Sequence, residues 1–219
     1  MGNSATGFRA EIGEHRLTVL LDIRNPLAYL ALGPTVDLGK EHSLQINWLP
    51  CEGQLLHAPS EPGSNDDRSV IHKRSRAQAI ALEIQIYGEA QGLVLREYYR
   101  AGDPNIVHAA WLWVRAQRPS ALEALLSESF RSYWACETDP SDVDAIAKLV
   151  ESVGADGTAF RNWLEPNGRA ALAATNEEVR ARGLAGVPGY FIDDEVFWGR
   201  QHLPMIRWIL GGREGHGPI

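Results

Sequence analysis

The hydrophobic positions fall into two regimes: short apolar runs near both ends of the chain and a long helical periodicity between them. Residues 18–23 are a mostly apolar run of strand length. Arg24-Asn25-Pro26 stops that run, and residues 27–32 continue with helical character. A second strand is expected over residues 43–49. Residues 57–68, rich in Pro, Gly, Ser, Asn and Asp, read as a loop. The pattern then predicts helices over 77–95, 105–116, 120–133, 145–152, 158–164 and 168–182, with Ser141-Asp142 as one start signal and Gly154 and Gly183 as stops. Two apolar triplets, 190–192 and 196–198, flank Asp193-Asp194 and predict a tight β-hairpin. Pro188 cannot donate to a ladder and belongs at the entry to that hairpin. A last helix is expected over 201–210, followed by a frayed glycine-rich tail at 211–217, and the polar first 16 residues are expected to be a disordered leader.

Length and charge narrow the function classes. The 219 residues suit one domain, or a compact domain with a large insertion. A formal charge of −7 argues against nucleic acid as the main partner, which calls for a basic footprint. No apolar run approaches the roughly 20 residues needed to cross a bilayer, so no membrane span is expected. The first residues carry no signal-peptide core, which makes the cytoplasm the expected compartment. The histidines show no metal-ligand spacing, so no metal site is expected. Cys51 and Cys136 are the only cysteines and form no Cys-X-X-Cys.

Gly186-Val187-Pro188, leading into the hairpin, resembles the cis-proline loop of the thioredoxin superfamily. Phe197-Trp198-Gly199 before an amphipathic helix narrows the resemblance to one branch. That branch holds the DsbA-like proteins, the kappa-class glutathione transferases and the 2-hydroxychromene-2-carboxylate isomerases. Residues 22–31, with Asp22, Asn25-Pro26 and Tyr29-Leu30, resemble the isomerase and transferase pattern of Asp, variable residues, Ser-Pro and a Tyr/Trp-Leu pair. Tyr133-Trp134 followed by Asp139-Pro140, and residues 149–156, resemble pieces of the same branch's helical segment. The resemblance spans about residues 17–210.

It implies an α/β thioredoxin fold with an all-helical insertion of the DsbA-like type. The thioredoxin-like part would be split over 16–62 and 184–212, with the insertion at 68–183. The implied activity is a glutathione-dependent isomerase or transferase acting on a small aromatic compound, in a homodimer. In such relatives a serine before the proline donates a hydrogen bond to the glutathione sulfur; Asn25, with its amide N–H groups, stands there as the candidate catalytic residue. Pro26 would open a helix whose positive end favours a thiolate. Val187 and Pro188 would form the other half of the thiol site, with Gly199, Arg200 and Gln201 as further glutathione-binding candidates. Tyr29, Trp48, Tyr190 and Trp198 would line an aromatic cleft for a planar substrate.

The sequence departs from that pattern in several places. Asn25 and Ala28 stand where DsbA-type oxidoreductases carry their two cysteines, which removes ordinary dithiol exchange. Arg200 and Gln201 stand where glutathione-using relatives place a small polar residue and an acid. Gly189 replaces a frequent Thr or Ser, and Glu83-Ile84-Gln85-Ile86 lacks the arginine of an Asp-X-X-Arg motif. Pro62-Gly63-Ser64-Asn65 partly echoes the loop that precedes a carboxylate-binding cation, for which Lys73, Arg74 and Arg76 are all candidates. Asn25-Pro26 is equally a helix cap, since Asn is favoured at that position and Pro just after it. Two rival functions therefore stand beside the first: a repurposed, non-catalytic binding protein of the same fold, and an atypical thiol oxidoreductase using Cys51 or Cys136.

Overall fold

The computed structural model describes residues 9–64, 66–184 and 186–218; residues 1–8 of the expected leader lie outside them, whereas residues 9–16 are packed on the domain, with Ala10 and Ile12 buried and Arg115 donating to Arg9 O. Strand β1 (Leu17–Leu21) is buried along its whole length. Helix α1 (Pro26–Glu41) carries the chain across to β2 (Asn47–Pro50), which pairs with β1 in parallel. β3 (Gly189–Ile192) and β4 (Glu195–Trp198) form the antiparallel hairpin, with β3 against β1, giving the sheet order β2-β1-β3-β4. Asp193 and Asp194 turn the hairpin at positive φ, which short polar side chains tolerate. A 3-10 turn (Arg200–His202) and helix α8 (Leu203–Leu210) close the unit. This is a thioredoxin fold, a β-α-β half joined to a β-β-α half.

Between β2 and β3 lie α2 (Arg68–Ala90), α3 (Asn105–Gln117), α4 (Leu122–Trp134), α5 (Val143–Ser152), α6 (Gly157–Trp163) and α7 (Arg169–Ala181). The two faces of the sheet are covered separately, because successive strand residues point to opposite sides. Leu17, Val19 and Leu21 join Trp48, Tyr190, Phe130 and Trp111 in the larger core. Leu20, Leu49 and Phe191 join Ala109, Leu112, Leu172 and Val179 in the second. Helix α3 feeds both.

Four expectations change. Helix α1 continues through Pro34 to Glu41. A proline there leaves the carbonyl four residues earlier without its donor, and the Gln91 side-chain amide supplies one to Leu30 O at 3.1 Å. Ser43 lies in a turn at positive φ and residues 44–46 stay outside the ladder, so β2 starts late. Helix α2 begins nine residues before the apolar pattern, because Asp67 caps it by accepting from Val70 N. The C-terminal tail is also tethered, with Trp208 Nε1 donating to Glu214 O at 2.9 Å.

Candidate functional site

At the end of β1 the chain makes one tight turn from Asp22 to Asn25 and enters α1. Asn25 is the N-cap: its Oδ1 accepts from Leu27 N at 2.9 Å and Ala28 N at 3.3 Å. The same side chain has a second use. Its Nδ2 donates to Val187 O at 3.3 Å, across to the segment that precedes β3. The Val187–Pro188 peptide is cis. Asn25, Pro26, Val187 and Pro188 are therefore brought together, as the resemblance implied, and Asn25 acts both as cap and as bridge.

The turn is held from below by Asp22, which is 1% exposed. Its Oδ1 accepts from Arg24 N (3.0 Å) and Arg24 Nε (3.1 Å), and its Oδ2 from Arg24 Nη2 (2.8 Å) and Gly53 N (2.9 Å). Burial alone would raise this carboxyl. The Arg24 hydrogen bonds, with His108 nearby, outweigh burial and hold it below the usual range. Arg24 also faces Glu52 at 3.7 Å. His108 on α3 accepts from Ile23 N at 3.3 Å through Nε2, so its proton belongs on Nδ1. Burial pushes His108 down to about 4 against the pull of Asp22, and it is neutral at pH 7.

Gly53 links this network to the other half of the site. A Cβ there would lie 2.1 Å from Val187 Cγ2, so only glycine lets the β2–α2 loop pass behind Val187. Neither Asp22 nor Gly53 was assigned a role from sequence. The readable signal was an Asp two residues before an Arg at the end of a buried strand; Gly53 and the lone His108 carried none.

The remaining candidates are placed less uniformly. Gly199 adopts positive φ at 96°, a conformation that L side chains rarely take, and Gln201 folds back over it, donating from Nε2 to Trp198 O. Arg200 is mostly buried, salt-bridged to Glu83 and stacked over the Tyr87 ring at 3.5 Å. Its guanidinium pins α2 to the hairpin instead of pointing into open solvent. The four aromatics do not converge on a cleft. Tyr190 is fully buried with its hydroxyl on Thr35, and Trp48 is buried with its Nε1 toward Glu123. Tyr29 stacks on Phe130. Trp198 alone is broadly exposed, at 53%.

Beyond Gly53, residues 54–60 and α2 enclose a groove of about 490 Å³ lined by Leu55, Leu56, Tyr99, Lys73, Arg74 and Arg76. Arg74 is taken by Asp66 and Glu61 O. Lys73 and Arg76 are exposed, and among the described residues neither has an ion pair. Cys51 is buried and pushed up to about 11 by burial, Asp22 and Glu52, so it is a thiol at neutral pH; Cys136 is exposed. Among the described residues no group of His, Cys, Asp and Glu is placed to hold a metal, and no helix is long and apolar enough to cross a membrane.

The family model for the DSBA-like thioredoxin domain matches residues 41–211. The chain belongs to this family. Two curated relatives, both 2-hydroxychromene-2-carboxylate isomerases, align along most of the chain. The one from Sphingobium xenophagum is 24% identical over 190 residues, covering 86% of this chain and 94% of the relative. The one from Pseudomonas putida is 27% identical over 198 residues, covering 87% and 91%. A solved 2-hydroxychromene-2-carboxylate isomerase superposes with a TM-score of 0.68 at 19% identity, covering 90% of this chain and 95% of that one. The cytosolic disulfide reductase DsbM of Pseudomonas aeruginosa, solved with GSH, superposes at 0.61 with 18% identity, covering 90% and 98%.

Proposed function

We propose that this DsbA-like protein binds glutathione at the Asn25–Val187–Pro188 junction and uses it in an isomerase or transferase reaction on a small aromatic compound. One observation carries the reading: a cysteine-free α1 N-terminus whose cap residue reaches the carbonyl before the cis-proline. The residues present fit a thiol ligand. Asn25 Nδ2 has a second N–H beyond the one given to Val187, and the first turn of α1 adds its positive dipole end. Lys73 and Arg76 offer unpaired cations for a terminal carboxylate along the neighbouring groove. Bound there, glutathione supplies a nucleophilic sulfur. Asn25 would hold that sulfur by a hydrogen bond, and Val187 would align its peptide neighbour. Asp22 and Arg24 keep the turn rigid while cancelling each other's charge, so no bare carboxylate opposes an anionic sulfur. The isomerase names of the relatives and the GSH in DsbM support the choice of ligand and reaction class.

One observation favours a binding protein without turnover: Arg200 is engaged with Glu83 and Gln201 Nε2 with Trp198 O, which leaves only the neutral Gln201 Oε1 there for the ammonium of a γ-glutamyl arm. The two readings separate in one assay. Purified protein incubated with 2-hydroxychromene-2-carboxylate should interconvert it, measured by absorbance, only when glutathione is added. Asn25→Ser should keep or raise that rate, and Asn25→Ala should abolish it. No glutathione-dependent conversion by the wild type or Asn25→Ser rules out the isomerase.

We also propose the split 16–62 and 184–212 with an insertion at 68–183 as the domain division. A homodimer is proposed through α2, whose Leu82 and Ile86, one turn apart, are both more than half exposed. Light scattering that gives a monomer mass would remove the dimer.

A further inference from the structure

We propose that the groove between α1 and α4 binds an elongated, uncharged aliphatic molecule through a single oxygen held by the Tyr29 hydroxyl. None of Asn25, Val187 and Pro188 lines this groove, and the proposal does not rest on the function proposed above.

The groove measures about 810 Å³, within the roughly 300–1,000 Å³ typical of small-molecule sites. Its α1 lining runs from Tyr29 to Lys40, roughly 16 Å along the helix axis. A molecule that fills it is therefore elongated. The sequence of α1 makes the room. Gly33 and Pro34 are the two poorest helix-forming types, and both stand in the middle of this helix on the groove. Packing does not require the glycine, because a Cβ at Gly33 would meet nothing within 4 Å. What Gly33 does is leave the floor of the groove open. The carbonyl that Pro34 frees is taken by Gln91 Nε2, so the interruption leaves no bare acceptor below the floor.

The polar side chains of the groove are engaged within the chain, with one exception. Glu128 accepts from Arg131 Nε and Nη2 at 2.8 and 2.7 Å, and Arg131 also reaches Glu137. Lys40 faces Asp37 at 3.7 Å. Ser127 Oγ donates to Glu123 O at 2.8 Å. Tyr29 is only 7% exposed, yet its hydroxyl has no hydrogen-bond partner among the described residues. The ring cannot easily turn away, since it lies flat against Phe130 with centroids 5.4 Å apart. The hydroxyl feels both Arg131 and Glu128 of the groove rim, and burial raises it above the usual tyrosine range. It is a neutral donor at pH 7, fixed and unpaired at one end of the groove.

Those features select the ligand. Two acids and two cations line the groove as two pairs, so no net charge draws an ion into it. The wall between them is aliphatic, from Leu32, Pro34, Val36 and Leu93. One face of the Tyr29 ring is already covered by Phe130, which leaves the ring edge and its hydroxyl for the occupant. An alkyl chain carrying one oxygen suits this arrangement: the chain covers the wall, and the oxygen satisfies a buried hydroxyl that the protein leaves unmatched.

The test is calorimetric titration of the full chain with 1-octanol and, separately, with octanoate. Saturable binding of octanol at one site per chain is expected, with octanoate at least tenfold weaker. Tyr29→Phe keeps the ring on Phe130 and removes only the oxygen; it should weaken octanol about tenfold. Gly33→Leu places a better helix former over the open floor, so it should abolish octanol binding without lowering the urea midpoint. If that variant fails to fold, Tyr29→Phe carries the test. Absence of saturable octanol binding, octanoate binding as tight as octanol, or an unchanged octanol affinity in Tyr29→Phe overturns the assignment. Octanol binding that follows these variants upholds the groove whether or not the chain binds glutathione.

Discussion

Replacing Asp22 with asparagine is expected to destabilise the protein by about 3 kcal/mol while leaving its shape almost unchanged. The carboxylate accepts four hydrogen bonds, two on each oxygen, from Arg24 N, Arg24 Nε, Arg24 Nη2 and Gly53 N. An asparagine has one acceptor oxygen, so in either orientation its NH2 faces two donors. Each buried donor left unpaired costs about 1–3 kcal/mol. The Arg24 side chain retains 10% exposure and Glu52 at 3.7 Å, which places its share at the low end. Urea unfolding at pH 7 should show a lower midpoint with an unchanged slope. Arg24→Gln should then cost less in the Asp22→Asn background than alone, since the two groups act as one unit. A loss below about 1 kcal/mol, or additive single and double effects, would refute the network as the support of the Asn25 turn.

Other predictions follow from the same geometry. Gly53→Ala should weaken glutathione binding about tenfold with little change in unfolding midpoint, and Val187→Ala in the same chain should restore much of it by removing the clashing Cγ2; lack of rescue would show that Gly53 acts otherwise. For His108, both folded and unfolded states are neutral above pH 6.5, so it adds no slope there. As pH falls from 6.5 toward 4 the unfolded chain alone takes the proton, and stability should drop by about 3 kcal/mol, a slope that His108→Gln removes in urea titrations at stepped pH. Arg200→Ala should raise hydrogen exchange in α2, where only Ile84 and Gly88 are buried, while leaving β1 and β3 protected; uniform exchange changes would contradict its role as the tether.

The sheet and most helices were legible because strong local signals agreed with the tertiary outcome. The run before Asn25-Pro26 and the Asp193-Asp194 turn fix the order of strands, and Asn25 capped α1 as its residue type suggested. What was hidden depends on distant partners. The continuation of α1 past Pro34 needs a donor from Gln91, some sixty residues away in sequence. The start of α2 lay in a polar stretch whose capping Asp67 was indistinguishable from loop acids. Within the site, Asn25 and Val187 were readable from motifs, but the Asp22–Gly53 contact joins two loops that no local pattern connects. The aromatics were misplaced for a related reason: strand position tells which face a side chain takes, and Tyr190 and Trp48 take the face that the core covers. Arg200 read as a glutathione-binding candidate because Tyr87 and Glu83, the partners that hold it, lie on a helix over a hundred residues earlier.

The most direct test of the central claim is calorimetric titration of the folded chain with reduced glutathione. Binding at or below millimolar concentration, lost in Asn25→Ala with the circular-dichroism spectrum unchanged, is the predicted result. An absence of heat at millimolar glutathione from intact wild-type protein, or equal binding by Asn25→Ala, would contradict a thiol site at the Asn25–Val187 junction.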